Sequence, residues 1–450
     1  MQKFVERSLK KSIIILAAGD GSRLKSSTPK VFHKIGGLSM LDHVINASTK
    51  ISANEIAVVL KPEYANYTSQ IPCDFQKAFQ PKAKGTADTV KYGLECLTKS
   101  DEGWIYILYA DIPLISPTSL NEMLKIAEAN SNTAVVVLAF DSRGTKDLGK
   151  LAKAGKPGTI SRIIEAKDIT PADQTIPLCN AGMLVRRDVL NDLLYKIEPS
   201  PKTGEIYITE IVRLAYENGY DCRYYEASKD ELSGANTRSE LAALEKTFQE
   251  KMRKQCLDNG VTLISPETVF FSYDTKIEQD VVVHPYVVFG AGVEIKSGAE
   301  IGPFCVVEGA TIGDAKVGPF SRLRPGSEIS DDARIGNFVE VKNSYIGCGA
   351  KVNHLTYIGD SSIGDKTNIG AGTITCNYDG FKKYKTIIGK NVFIGSNSAL
   401  VAPVKIEDGA LIAAGSTITK NVSEDSLGIA RGKQVNVEGW AKSFKKSKEK

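Results

Sequence analysis

A chain of 450 residues, 42% hydrophobic and 24% charged, has room for two or three globular domains, and a formal charge of +4 is too small to point to nucleic acid. Its eight cysteines, among them Cys73, Cys179, Cys305 and Cys376, form no CxxC pair and accompany no histidine cluster. They indicate neither a zinc site nor a disulfide framework, and fit small buried side chains in a reducing compartment.

In chain order, Lys10 and Lys11 followed by the apolar run Ile13 to Ala18 mimic a short signal peptide. The run is only a strand long, and it flows into Gly19-Asp20-Gly21-Ser22-Arg23. It therefore reads as a buried parallel strand entering a Gly-rich turn. No stretch approaches the roughly 18 apolar residues of a membrane span, so the expectation is a cytoplasmic protein with no membrane partner. Further strands are predicted at Glu55–Leu60, Trp104–Tyr109, Thr133–Phe140 and Met183–Arg186, and helices at Met40–Lys50, Thr86–Lys99 and Ser119–Asn130. Such alternation implies a mainly parallel sheet covered on both faces, with ligands at the carboxyl ends of its strands. Two segments fall there. The Gly-rich turn brings backbone N–H groups to phosphate oxygens, with Arg23 and Lys30 adding charge. Asp111, in Tyr109-Ala110-Asp111-Ile112-Pro113, is placed to hold Mg²⁺ through oxygen. Either segment alone also fits an ordinary tight turn or strand-end cap.

From Thr237 the pattern turns helical. Thr237-Arg238-Ser239-Glu240 fits a capping box, Leu241, Leu244, Phe248 and Met252 share a face, and Gly260 is a stop signal. The predicted division is 1–236, a linker helix over 237–260 packed on one of the two domains, and 261–450. Past it, an apolar residue returns every sixth position: Ile277, Val283, Phe289, Ile295, Ile301, Val307. The phase slips through Ile312 and Val317, resumes at Leu323, breaks between Ile369 and Ile388, and ends at Ile418. Six is no helical period. It is the length of one flat side of a triangular coil whose aliphatic residue points inward, the signature of a parallel β-helix. The break implies an extruded loop, and the Lys-rich tail after Trp440 is expected to be disordered.

The order of these motifs resembles the bifunctional bacterial family of N-acetylglucosamine-1-phosphate uridylyltransferases and glucosamine-1-phosphate acetyltransferases, over nearly the whole chain. The segments that carry it are Leu323 to Gly326, Gly336 to Lys342, His354 to Tyr357, Asn368 to Ile374 and Cys376 to Gly380, with Leu16 to Gly19 upstream. The resemblance implies a Rossmann-like nucleotidyltransferase domain, a linker helix and a left-handed β-helix that forms homotrimers. It implies UTP and acetyl-CoA as co-substrates, Mg²⁺ as cofactor, and UDP-N-acetylglucosamine for cell-wall and lipopolysaccharide synthesis as product. His354 is implied as the base for acetyl transfer, with Glu340 orienting it. Arg324, Lys342, Tyr357, Asn368 and Lys383 are implied for the sugar phosphate, and Ala371, Asn377, Tyr378, Ser396, Ala414 and Arg431 for acetyl-CoA. In the first domain the nucleotide and phosphate contacts are Leu16, Ala17, Ala18, Gly19 and Lys30, to which chemistry adds Arg23. Gln80, Gly85 and Thr86 read uracil, and Tyr109, Gly149, Glu165 and Asn180 surround the amino sugar. Ala110 precedes Asp111, which with Asn236 holds Mg²⁺.

The chain departs from the usual pattern at Asp20 (commonly Lys), Ala110 (Gly), Ala87-Asp88 (a segment often carrying His) and Lys150 (Arg). Two rival readings remain from sequence: a single-activity nucleotidyltransferase with an assembling β-helix, and a non-enzymatic scaffold.

Overall fold

The computed structural model describes residues 10–71, 75–82, 84–141 and 148–448, so Cys73 lies outside it. The contacts divide the chain into two units, one ending at Phe248 and one beginning at Gln249. In the first, the apolar strand Lys11–Leu16 sits inside a sheet between Glu55–Leu60 and Trp104–Tyr109, parallel to both. Edge to edge the order is Asp221–Glu226, Thr133–Asp141, Leu178–Arg186, Trp104–Tyr109, Lys11–Leu16, Glu55–Leu60, Gln76–Phe79. Leu16 lies in register with Tyr109, so the Gly-rich turn and the Asp111 segment leave the sheet side by side. The helices Met40–Thr49 and Pro117–Glu128 start where Ser39 and Ser116 accept from backbone N–H groups of their first turns.

Three features differ from the sequence reading. The strand expected at Met183–Arg186 runs from Leu178 to Arg186, antiparallel to both neighbours, with a bulge between Asn180 and Gly182. Polar Asn180 and the bulge interrupt the apolar run and conceal the first half of the strand. The edge strands Gln76–Phe79 and Asp221–Glu226 escape the sequence reading, because polar edge positions carry little hydrophobic pattern. The helix Arg238–Asp258 has the expected capping box, Glu240 N donating to Thr237 Oγ1 and Thr237 N to Glu240 Oε2. It does not belong to one unit, however. Phe248 packs where a Cβ on Gly36 would meet its ring, whereas Cys256 joins the core of the second unit and Gln249 and Arg253 bond the carbonyls of Phe271 and Val269.

The second unit is a stack of parallel coils. Its strands form three ladders in which every pair is parallel, and the hexad residues from Val283 to Ile418 make one buried core. The phase slip is a shorter coil: Glu300 pairs with Lys316, whereas Val282 pairs with Glu300, and Ile312 and Val317 still point inward. In the break, Thr375 takes the inward position in register with Leu400, leaving only 377–385 extruded. A hydroxyl is tolerated there because Gly359 N donates to Thr375 Oγ1 at 2.8 Å.

Two long strands, Arg334–Lys342 and Lys351–Gly359, bend round one corner at Phe338 and Leu355, both at positive φ. Below them Tyr286, Phe304 and Phe320 occupy the same kind of corner, and with Phe338 their exposed rings stack at centroid separations of 5.0, 4.8 and 5.3 Å. The tail is also ordered locally. Trp440–Lys448 is an exposed helix, held by the stacked rings of Trp440 and Phe444 one turn apart, a contact that lysine content conceals. Among the described residues no helix is long and apolar enough to cross a membrane.

Coil stacking sets a testable limit on side chains. A Cβ on Gly395 would lie 2.4 Å from Ala414 N in the next coil. Gly395→Ala is therefore expected to cost about 1–3 kcal/mol in a urea unfolding experiment. An unchanged midpoint would mean that the coils spread freely.

Candidate active sites

The first site is a cavity of about 290 Å³ at the carboxyl ends of the parallel strands. Of the residues expected at the nucleotide and sugar site, Leu16, Ala18, Gly19, Lys30, Gln80, Gly85, Thr86, Tyr109 and Asp111 line it. Val31, Thr89, Glu205 and Tyr207 line it too and were missed. The last two arrive because Gly85 abuts Ile206, where a Cβ would come within 2.4 Å of its carbonyl oxygen, and no periodic pattern marks that approach. Ala17 and Ala110 are buried beneath the cavity, and Arg23 is exposed on the short helix Ser22–Leu24 without lining it.

Lys30 Nζ donates both to the carboxylate of Asp111 and, at 2.6 Å, to Asn236 Oδ1. Two oxygens more than a hundred residues apart in sequence thus flank one cation. They are hard donors of the kind Mg²⁺ takes alongside phosphate oxygens and water, so the pair fits that ion. Beside them Asn180 Nδ2 donates to Tyr109 Oη at 3.3 Å, and Asn180 N to Gly149 O at 3.2 Å. A Cβ on Gly149 would lie 3.4 Å from Ile164 O and 3.9 Å from Glu165 Cα, so the four predicted sugar positions are neighbours, of which Tyr109 lines the cavity. Burial raises the Glu165 carboxyl above its ordinary range, against the opposing hydrogen bond from Thr209. Asp20, the unexpected carboxylate of the phosphate turn, is ion-paired with Lys61, which supplies a cation from the neighbouring strand end.

The second site follows from register. Asn337 pairs with His354, and Val352, Ile369, Ile394 and Ile412 lie in successive coils. Two residues beyond each of these four stand His354, Ala371, Ser396 and Ala414, which therefore form one column along the stack. At about 4.8 Å per coil the column is about 14 Å long. Arg431 extends it, its Nη1 donating to Ala414 O at 2.8 Å. The predicted base and four of the predicted acetyl-CoA positions thus share one line. His354 is exposed at the corner, and its Nδ1 lies 3.0 Å from Asn337 Oδ1. This corrects the expectation for Glu340, whose carboxylate accepts from Arg324 Nη1 at 2.8 Å. The imidazole's partner is instead one coil away, an offset of 17 residues that the repeat itself could have revealed.

Round the corner, Arg324 N bonds Val341 O and Lys342 is in register with Gly359, so Arg324 and Lys342 occupy adjacent coils. Lys383 reaches Lys342 from the extruded loop, and the close Lys342 ammonium holds its pKa below the ordinary lysine value. Three cations crowded together suit a dianionic ligand. Tyr357 lies against Gly359, and Asn377 Nδ2 donates to the Asp360 carboxylate, which anchors the loop's first residue. Tyr378 bridges to Lys383 across that loop. Asn368 stands on the same ladder as Val352, in register with Lys351 and half-buried.

A MobA-like NTP transferase domain matches residues 13–195. A bacterial transferase hexapeptide of six repeats matches 274–309, and a hexapeptide repeat of succinyl-transferase matches 385–420. Two proteins named "Bifunctional protein GlmU", from Zymomonas mobilis subsp. mobilis and Paramagnetospirillum magneticum, are each 44% identical to this chain. The first alignment covers 98% of both chains and the second 97% of both. A protein of the same name from Wolbachia pipientis wMel is 43% identical over 94% of this chain and 97% of its own.

Proposed function

The chain belongs to the GlmU family of bifunctional proteins, and from that premise we propose how its two sites divide the chemistry. It is a nucleotidyltransferase fold followed by a left-handed β-helix, and it makes UDP-N-acetylglucosamine, a cell-wall precursor. Acetyl passes from acetyl-CoA to glucosamine 1-phosphate, and uridylyl from UTP to the acetylated product, releasing pyrophosphate.

In the proposed acetyl transfer, acetyl-CoA lies along the column of Ala371, Ser396, Ala414 and Arg431, with Asn377 and Tyr378 closing on it from the loop. Arg324, Lys342 and Lys383 hold the sugar phosphate, and Tyr357 and Asn368 its ring. Asn337 Oδ1 accepts the proton on His354 Nδ1, which leaves the Nε2 lone pair as the base. The amine attacks the thioester carbon and gives its proton to His354, the new C–N bond replaces C–S, and the leaving sulfur takes that proton back from the imidazolium, so that the coenzyme departs as a thiol. The Ala371 N–H donates to the oxygen that gains charge. The alignment of His354 with Ala371, Ser396 and Ala414 is the observation that carries this half.

For uridylyl transfer, Gln80, Gly85 and Thr86 read uracil, and Gly149, Glu165, Asn180 and Tyr109 hold the amino sugar. Leu16 to Gly19 and Lys30 carry the phosphates, and Arg23 adds positive charge from outside the cavity lining. The sugar-phosphate oxygen attacks the α-phosphorus in line, and the bond to pyrophosphate breaks. Asp111 and Asn236 would hold Mg²⁺, which when bound neutralises phosphate charge.

Thermal shift tests the pairing of two sites. Acetyl-CoA and UDP-N-acetylglucosamine are each expected to raise Tm, by an amount reflecting about 2.7 kcal/mol at a hundredfold excess over Kd. Stabilisation by the nucleotide sugar alone would remove the acetyl site.

A homotrimer and a cytoplasmic location are part of the same proposal. The exposed ring ladder from Tyr286 to Phe338 supports self-association, since surfaces of that kind are usually covered. Sedimentation equilibrium is expected to return three times the chain mass, and a single-chain particle at micromolar concentration would overturn the assembly.

A further inference from the structure

Behind Gln80, which lines the first cavity, stands the carboxylate of Asp88, which does not line it and which the reaction does not require. Gln80 is buried, its backbone N–H held by Leu60 O and its side-chain amide held at both ends. Nε2 donates to Asp88 Oδ2 at 2.7 Å, and Oε1 accepts from Thr89 Oγ1 at 2.9 Å. Both partners sit in the first turn of the helix Thr86–Cys96, whose start is pinned where Ala87 N bonds Ile206 O and Ile208 N bonds Thr86 Oγ1. The frame holding the amide is therefore rigid.

An amide has two flip states, and they read opposite partners. With its oxygen and one N–H in the present order, it complements an edge that donates from N3 and accepts at O4, which is uracil. Turned over, it complements an edge that accepts at N3 and donates from N4, which is cytosine. Thr89 does not choose between the states, because a hydroxyl both donates and accepts. A carboxylate only accepts, so turning the amide would set Oε1 against Asp88 and lose a charge-assisted bond. We propose that Asp88 is a specificity-positioning residue: it locks the Gln80 amide in the state that accepts a uridine nucleotide and refuses a cytidine nucleotide. This rests on the reading of Gln80 as the uracil contact.

The test compares kcat/KM for UTP and CTP in the full-length enzyme, wild type against Asp88→Asn, Asp88→Glu and Gln80→Leu. The amide introduced by Asp88→Asn offers an acceptor or a donor, so both flip states of Gln80 become available. The UTP/CTP ratio is expected to fall about tenfold or more, mainly through gain on CTP. Asp88→Glu, which keeps an acceptor-only group, is expected to restore much of the ratio. Acetyl transfer in the same preparations checks that the protein is folded. An unchanged ratio in Asp88→Asn with a reduced one in Gln80→Leu overturns the proposal and leaves Gln80 as the reader. An unchanged ratio in both overturns the proposal together with the reading beneath it. If Asp88→Asn transfers neither nucleotide, calorimetric binding of UTP and CTP supplies the ratio, judged by the same criterion.

Discussion

His354→Ala is expected to lower kcat for acetyl transfer by about 10²–10⁴-fold, the range for a positioned general base, while uridylyl transfer stays within twofold or so of wild type. The imidazole is exposed and its partner is the side chain of Asn337, so its removal leaves no cavity in the coil core and no buried polar group stranded. The loss should therefore appear in the chemical step, with little change in melting temperature. Asn337→Ala keeps the base but frees its tautomer, and a smaller fall in kcat is expected, with KM for acetyl-CoA little changed. Parallel assays of both half-reactions on one preparation decide the matter. If the two activities of a folded His354→Ala protein decline together, the histidine has no selective part in acyl transfer and the column loses its base.

What the sequence reveals and what it conceals differ for a physical reason. The coil is legible because each flat side needs one inward aliphatic residue, and the spacing from Ile277 to Ile418 records that need directly. The outward residues carry no such constraint, so the role of each depends on which coil it faces. Glu340 enters as the orienting residue only through the family resemblance, whereas its carboxylate accepts from Arg324. The coil offset, readable as the 17 residues between Asn337 and His354, is the better guide. Thr375 is hidden because it breaks the aliphatic pattern while keeping the inward position. In the first unit, Leu16 to Gly19 and Asp111 are legible because parallel strands deliver their carboxyl ends to one edge. Glu205 and Tyr207 reach the same cavity through a backbone approach at Gly85, which leaves no signature except the glycine itself. Asp20 looks damaging among phosphates until Lys61, at the end of the neighbouring strand, is seen to be its partner.

Asp111→Asn is expected to do the reverse of His354→Ala: uridylyl transfer falls by about 10²–10³-fold, and acetyl transfer is unaffected. The substitution keeps the shape of the side chain and an oxygen for Lys30 but removes the negative charge. In the present geometry Lys30 Nζ sits between Asp111 and Asn236, so the ammonium occupies the gap where a metal would be held. Asp111 and Asn236 would hold the metal, and Lys30 would then be free to give its charge to the phosphates. The neutral amide of the variant keeps an oxygen for either cation but attracts a divalent ion far less than a carboxylate does. The affinity for UDP-N-acetylglucosamine should accordingly rise with added Mg²⁺ in the wild type and respond much less in Asp111→Asn, which calorimetric titration reads without turnover. Lys30→Ala separates the two cations: phosphate affinity should fall at every metal concentration, while the response to Mg²⁺ persists. If Asp111→Asn keeps the full metal response of the wild type, the carboxylate serves only to anchor Lys30, and the metal has to be held elsewhere.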